Sequence, residues 1–395
     1  MSKAGVVPLT PSVLRWARET SGLTTEEVSN KLKRSTISAD TIDAWERGDG
    51  APTYAQLECL AYDVYKRPLA LFFFPTPPEE KTPRQAFRTL PEQEIQKIST
   101  RLRYLLRQAQ VRQIYLTELH EDALAAGRHF LRDLRIEAGT SAADMAKRVR
   151  EYLSISLETQ SEWKNANEAF KGWRDAVESC GVFVFKEAFK DEAVSGFCLF
   201  DERFPVIYIN NSKPDTRQTF TLFHELAHLL SRTGGIDKPI ESYIRYLKGQ
   251  DRKIEILCNQ FAAAFLVPDF DFDRRLKQMS SVREQNIEEL SRRYHVSREV
   301  ILRKLLDRKF ITQTEYDQKV NEWLKQAQNA VNKKNGGGNY YLTQGVYLSK
   351  RYLELTFTQL YKNKITVDQL ANYLGVKTKN IPSLEISLLQ QGVVV

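Results

Sequence analysis

Cysteine is scarce in this chain. Among 395 residues there are four, Cys59, Cys180, Cys198 and Cys258, and no two form a CxxC pair. That scatter argues against a disulfide framework and against a cysteine-built zinc site, and it fits a reducing compartment, so a cytoplasmic protein is expected. Long apolar runs are missing as well. No stretch approaches the ~18 consecutive apolar residues of a membrane helix, so no membrane association is expected. The opening residues MSKAGVVPLTPSVLRWARE lack the apolar core and small-residue cleavage site of a secretory signal. Histidine is nearly as rare as cysteine, at five residues, yet two of the five, His224 and His228, stand four positions apart. Internal repeats and low-complexity tracts are absent.

What is present is the composition of a folded protein, 42% hydrophobic and 27% charged. The length suits roughly two to four domains. The net charge of +8 is unevenly placed. Residues 1–70 hold nine basic and nine acidic side chains, residues 81–112 hold eight and two, and residues 331–395 hold eight and three. A surplus of this size permits contact with nucleic acid without requiring it, because solvated helix faces carry similar runs.

The expected fold class is α+β and mostly helical. Residues 1–80 read as about five short helices, with apolar positions at helical spacing: Val13, Leu14, Trp16 and Ala17, then Val28 and Leu32, Ile42 and Trp45, Leu57, Leu60 and Ala61. Thr24 or Thr25 and then Ser38 are candidate caps, Gly48 and Gly50 end the third helix, and Leu71–Pro78 closes the segment with an apolar plug and a proline stop. Residues 81–175 read as a helical connector, poor in glycine and proline from 91 on. The segment 176–282 changes texture. Short β-rich runs at Gly181–Phe185, Gly196–Phe200 and Pro205–Asn210 predict three strands of a small sheet. They are followed by a helix over about 213–232, ended by Gly234-Gly235, and by another over about 251–266, closed by Pro268. Residues 283–332 read as a helical domain. Lys333-Lys334-Asn335-Gly336-Gly337-Gly338 is a flexible break, and 339–395 is one more small helical module.

The chemistry lies in His224-Glu225-Leu226-Ala227-His228, an HExxH motif. Residues four apart are about 40° apart around a helix, so both imidazoles reach one metal ion from one face. Neutral imidazole suits Zn2+, and a catalytic site takes three protein ligands with one position open to water. Glu225, next to the first ligand, is placed to act as general base on that water. The bland alternative is a core helix with two hydrogen-bonded histidines. Against it, Phe220, Leu222, Phe223, Leu226, Ala227, Leu229 and Leu230 make the helix apolar nearly all round, and ionisable groups there are costly unless something uses them.

A third ligand is needed, and no histidine follows His228 before His295. A carboxylate must serve. Glu255, 27 residues downstream in an otherwise apolar helix, is favoured, with Asp251, Glu241 and Asp237 as rivals. Its plain reading is an acidic residue near a helix start.

Two stretches resemble known families. Arg217–Leu230 followed by Glu255-x-x-x-Asn259-x-Phe261-Ala262-Ala263 and Leu266-Val267-Pro268 closely resembles the ImmA/IrrE metallopeptidases, over about residues 180–325. The resemblance implies a zincin-like domain with His224, His228 and Glu255 as zinc ligands. Cys258 departs from the pattern, where an alanine is usual. Residues 8–75 resemble the XRE/Cro-type helix-turn-helix domain, through Ser21–Val28 and Ser38–Gly48 with its Trp-Glu-Arg-Gly end. Such a domain would set Ser38, Ala39, Asp40, Thr41 and Asp43 toward base edges and Lys31, Lys33 and Arg34 toward phosphate. Two aspartates and no arginine suit guanine contacts poorly, so a fold kept for protein contacts competes with DNA binding. The joint resemblance implies a regulator that cleaves or otherwise inactivates a helix-turn-helix repressor, with duplex DNA, a neighbouring toxin and a second copy in a homodimer as further implied partners. The competing function is a non-catalytic DNA-binding regulator or antitoxin that uses the peptidase fold as a scaffold. Tyr243, Tyr246 and Arg252 are the nearest candidates for a transition-state stabiliser.

Overall fold

The computed structural model describes residues 9–32, 37–80, 82–87, 90–119, 128–134, 139–237, 247–279, 283–331 and 347–390. The described residues are mostly helical with one small four-stranded sheet, an α+β protein. The chain divides into two compact units, residues 1–110 and 111–395.

In the first unit, local signals decide where helices begin. Thr24 and Glu27 exchange reciprocal bonds, the Thr24 N–H donating to Glu27 Oε2 at 2.9 Å and the Glu27 N–H to Thr24 Oγ1 at 3.2 Å, ahead of the helix Thr25–Leu32. Ser38 Oγ accepts from the Thr41 N–H and caps Ala39–Arg47. The helix Tyr54–Cys59 runs on into a π-helical turn, Leu60–Tyr65. Val13, Leu14, Ala17, Val28, Ile42, Leu57, Leu60 and Ala61 form a dry core. Buried Glu46 accepts from Arg18 Nε at 2.7 Å and Nη2 at 2.8 Å, a two-pronged pair between the first and third helices. The expected apolar plug is only partly inward. A 3-10 helix, Leu69–Phe73, buries Phe72 but leaves Phe73 and Phe74 exposed, because its three-residue turn sends successive side chains to different sides.

In the second unit the sheet has the order β1-β3-β2-β4, with β1 Phe183–Glu187, β2 Gly196–Leu199, β3 Val206–Asn210 and β4 Gly235–Asp237. The pair β1–β3 is parallel, and β2 runs antiparallel to both β3 and β4. The three expected strands are there. The fourth, β4, falls where the sequence was read as a helix end. Alternation sorts the faces. Val184, Cys198, Ile207 and Ile209 join the helical core with Leu222, Phe223 and Trp173. Phe185, Phe197 and Tyr208 stack on the other face, with Phe197 and Tyr208 rings 4.8 Å apart. The helix Asp215–Leu230 lies against β2, β3 and β4, and Gly249–Leu266 packs along it.

Further along, fully buried Asp271 joins two helices, Asp269–Lys277 and Glu284–Tyr294. It accepts from Arg275 Nε at 2.9 Å, Tyr294 Oη at 2.8 Å and Arg293 Nε at 3.3 Å, and from Arg274. Burial opposes its charge, but these donors outweigh burial and hold its pKa down to about 2, from an ordinary 3.8. A group depressed in this way stabilises the fold above its unfolded pKa and loses that contribution as pH falls through the folded one. Asp271→Asn is therefore expected to lower unfolding free energy by roughly 2 kcal/mol at pH 7, with the difference from wild type shrinking between about pH 4 and pH 2. Denaturant titrations across that range measure it, and a difference independent of pH would contradict the assignment.

Candidate metal centre

The helix Asp215–Leu230 buries twelve of its sixteen residues, including His224, Glu225 and His228. Neighbouring helices and the sheet surround it, so its ionisable groups face protein rather than water. The two histidines project one turn apart with Nε2 atoms 3.2 Å from each other. Glu255, from the helix Gly249–Leu266, closes a triangle: Oε2 lies 3.5 Å from His224 Nε2 and Oε1 lies 3.3 Å from His228 Nε2. A tetrahedral ion with Zn–N and Zn–O bonds of 2.0–2.1 Å sets its ligand atoms about 3.3 Å apart. With one ligand atom from each residue, all within 4.8 Å of one another, the three side chains are a group that could hold a metal ion.

The outer hydrogen bonds settle which ring nitrogen faces the cluster. Asn259 Nδ2 donates to the Glu255 carbonyl at 3.1 Å, which turns Asn259 Oδ1 toward His224 Nδ1 at 3.2 Å. His224 Nδ1 therefore carries the hydrogen and Nε2 the lone pair. The Thr233 hydroxyl donates to the His228 carbonyl at 3.2 Å, leaving its oxygen to accept from His228 Nδ1 at 3.2 Å. Both Nε2 lone pairs then point into the triangle, the arrangement that metal-ligating histidines adopt. Gly235 completes the cradle. A Cβ there would lie 2.3 Å from His228 Cδ2, so only glycine lets β4 cross the ring.

Charge tells the same story. Burial opposes a proton on His224, yet Asp237, Glu255 and Glu225 outweigh it and raise the pKa to about 9. Burial likewise opposes charge on His228, and the Cys258 and Glu255 groups beside it drive the pKa well upward. Glu255 is held far below the usual carboxylate range because the two imidazoles outweigh its burial. This pocket attracts positive charge, and a divalent cation meets that demand better than protons on ligating nitrogens. Glu225 is different. It is fully buried, no nitrogen or oxygen donor reaches either carboxylate oxygen, the Cys198 thiol is the one weak donor beside it, and burial pushes its pKa up to about 7. A carboxylate left so is expensive unless a ligand or water occupies the space it faces. The donor set and this poorly partnered carboxylate both fit a metal ion.

The rivals for third ligand go elsewhere. Asp237 accepts from Arg217 Nη2 on both oxygens and from the Thr221 hydroxyl. Asp251 stands outside the cluster, one turn before Glu255 on the same helix. Glu241, Tyr243 and Tyr246 lie outside the described residues, and Arg252 is exposed. Asn259 and Thr233 were not read as site residues. The spacing Glu255-x-x-x-Asn259 was the available signal, since it stacks the amide above the glutamate.

In the first unit, Ser38 and Asp40 are exposed, and Ala39, Thr41 and Asp43 are half-buried on the third helix. Ser38 Oγ is also bonded to Thr41 Oγ1 at 3.1 Å. Lys31 is exposed, and Lys33 and Arg34 lie outside the described residues. The basic stretch 81–112 offers less to phosphate than its charge suggests. Arg107 donates to the Tyr65 carbonyl, with burial lowering its pKa to about 10, and Arg103 donates to the Ile95 and Ile98 carbonyls.

A buried HExxH helix and a glutamate from the helix Gly249–Leu266 together make a cluster that could hold a metal ion. Residues 177–306 match the family model described as the IrrE N-terminal-like domain, Peptidase_M78, and the chain carries an ImmA/IrrE-family domain over that range. A solved structure of a Mycobacterium tuberculosis transcriptional regulator aligns at 18% identity and a TM-score of 0.29, covering 50% of this chain and 51% of that chain. The alignment therefore spans about half the length of each. No curated protein matches the chain. No helix among the described residues is long and apolar enough to cross a membrane.

Metal analysis of purified protein tests the cluster directly. His228→Ala and Glu255→Ala are expected to lose the bound metal and Asp251→Ala to keep it. Equal metal content in His228→Ala and wild type would overturn the assignment.

Proposed function

We propose that this chain is a zinc-dependent endopeptidase that acts as a regulator, cleaving or inactivating a helix-turn-helix repressor, with DNA binding through residues 1–80. The observation that carries the reading is Glu225, a buried carboxylate with no nitrogen or oxygen donor and only the Cys198 thiol beside it, next to His224 of the three-ligand cluster. The Peptidase_M78 match over the same residues supports it. His224, His228 and Glu255 would hold the ion, and Asn259 and Thr233 would orient the imidazoles. A bound zinc ion supplies Lewis acidity toward the scissile carbonyl and lowers the pKa of the attacking water. Glu225, next to His224 in sequence, would serve as the general base that accepts a proton from the attacking water and releases it to the leaving amine. The substrate bond would lie in an exposed, extended segment of the repressor.

A second reading has its own support. His224, Glu225, His228 and Glu255 are all 1% exposed or less, as in a closed structural site. On that reading the metal stabilises a scaffold that binds a repressor or a neighbouring toxin without cutting it. Glu225→Gln separates the two, since it keeps size and shape and removes the base. Metal content is expected to stay at the wild-type level while repressor cleavage falls roughly 10²–10⁴-fold. Undiminished cleavage or an undiminished regulatory effect would sink the peptidase reading.

For residues 1–80 we propose weak duplex DNA binding, with Ser38, Ala39, Asp40, Thr41 and Asp43 facing the bases and Lys31, Lys33 and Arg34 the backbone. The first 70 residues are neutral overall, so affinity must come from those few cations and should fall steeply with salt. Gel shifts of the whole protein on its own promoter region are the measurement. No shift at low salt, or one indifferent to replacing Lys31, Lys33 and Arg34, would favour a protein-docking role.

A further inference from the structure

Arg217, Thr221, His224 and His228 occupy positions i, i+4, i+7 and i+11 of one helix, a single face. That face meets the end of β4. Asp237, the last residue of β4, is 2% exposed and accepts from Arg217 Nη2 at 2.7 Å on each oxygen and from Thr221 Oγ1 at 2.7 Å. Arg217 Nε reaches Ser195 Oγ at 3.0 Å, and the Ser195 N–H donates to the Asp237 carbonyl at 2.8 Å, so β2 and β4 are tied to the same guanidinium. The approach is close throughout. A Cβ at Gly196 would lie 2.4 Å from Thr221 Cγ2, and one at Gly235 would lie 2.3 Å from His228 Cδ2. Thr233, which accepts from His228 Nδ1, is two residues before Gly235.

We infer that Asp237 is a positioning residue for the metal centre: clamped by Arg217 and Thr221, it presses β4 onto the motif helix so that Thr233 and Gly235 hold the His228 imidazole in its ligating orientation. The inference rests on the metal-site reading above and deepens it. Asp237 touches no donor atom of the cluster. Its charge reaches His224 through space, and its hold on His228 runs through the strand. Among the described residues β4 spans three positions and pairs with β2 alone, too little by itself to fix a strand, so the anchor at Asp237 sets where it lies. With the anchor loosened, the His228 ring would regain rotational freedom, and a ligand not held in place binds its metal more weakly.

The test uses the whole protein and zinc alone as ligand, with affinity read by competition against a chromophoric chelator and coordination read from the absorption bands of the cobalt(II)-substituted protein. Asp237→Asn keeps the side chain's shape, weakens its bonds to Arg217 Nη2 and also removes a charge near His224, so the uncharged change Thr221→Val is what isolates the positional effect. Asp237→Asn is expected to lower zinc affinity roughly 10–100-fold and to shift the cobalt bands. Thr221→Val removes one donor to Asp237 and is expected to move both readouts in the same direction by less, which keeps the test decisive should Asp237→Asn fold poorly. Lys304→Met removes a buried lysine from its ion pair with half-exposed Asp269, neither of them part of the cluster, and controls for loss of stability alone. It is expected to change neither readout. Wild-type zinc affinity in both site variants, or an equal loss in Lys304→Met, would overturn the inference and leave the metal site standing. Failure of wild type to bind zinc more tightly than His228→Ala would overturn the metal-site reading itself, and this inference with it.

Discussion

Four ionisable side chains, His224, Glu225, His228 and Glu255, are packed into an interior that admits almost no water. Such a group of charges has to be balanced from within. Lone pairs from two imidazoles and one carboxylate converge there, and the nearby carboxylates leave the pocket calling for positive charge. Much of the second unit can be understood as the frame that makes this arrangement tolerable. The motif helix is flanked by the sheet on one side and by Gly249–Leu266 on another, so each donor is carried by a regular element and aimed by a partner outside the cluster: Asn259 for His224, Thr233 for His228.

The ion-pair networks around this centre do a different job. Asp271 with its arginines and Tyr294, and Asp237 with Arg217 and Thr221, are buried carboxylates whose lone pairs are largely taken up by donors. Glu225 has no nitrogen or oxygen donor, only the Cys198 thiol beside it. Within one interior the chain thus satisfies the carboxylates that hold elements together and leaves unsatisfied the one that chemistry would use. That contrast separates a structural acid from a candidate base more sharply than burial does, since all of them are buried.

Some of this was readable from residue order alone. The helix bearing HExxH was legible because two histidines four apart sit in a run that is apolar nearly all round, and the strands at 183–187, 196–199 and 206–210 because their residues are β-branched and aromatic between turn formers. Helix starts at Thr25 and Ala39 were legible from local caps. These features depend on neighbours in sequence, and local physics is enough to set them. β4 was not legible: three residues reading Gly-Ile-Asp carry no alternation, and the strand exists because β2 is there to pair with it.

The sequence by itself determined that two imidazoles would share a helix face and that a carboxylate from elsewhere would have to complete the set. Only the tertiary structure decided that Glu255 closes the cluster while Asp237 answers Arg217 instead, that Asn259 and Thr233 orient the rings, and that Arg103 and Arg107 turn inward to backbone carbonyls rather than outward. The reason is physical. Acidic and basic side chains look interchangeable along a chain, and which one ends beside a given partner depends on how distant elements pack, with each buried charge settling on the donor or acceptor that packing brings within reach.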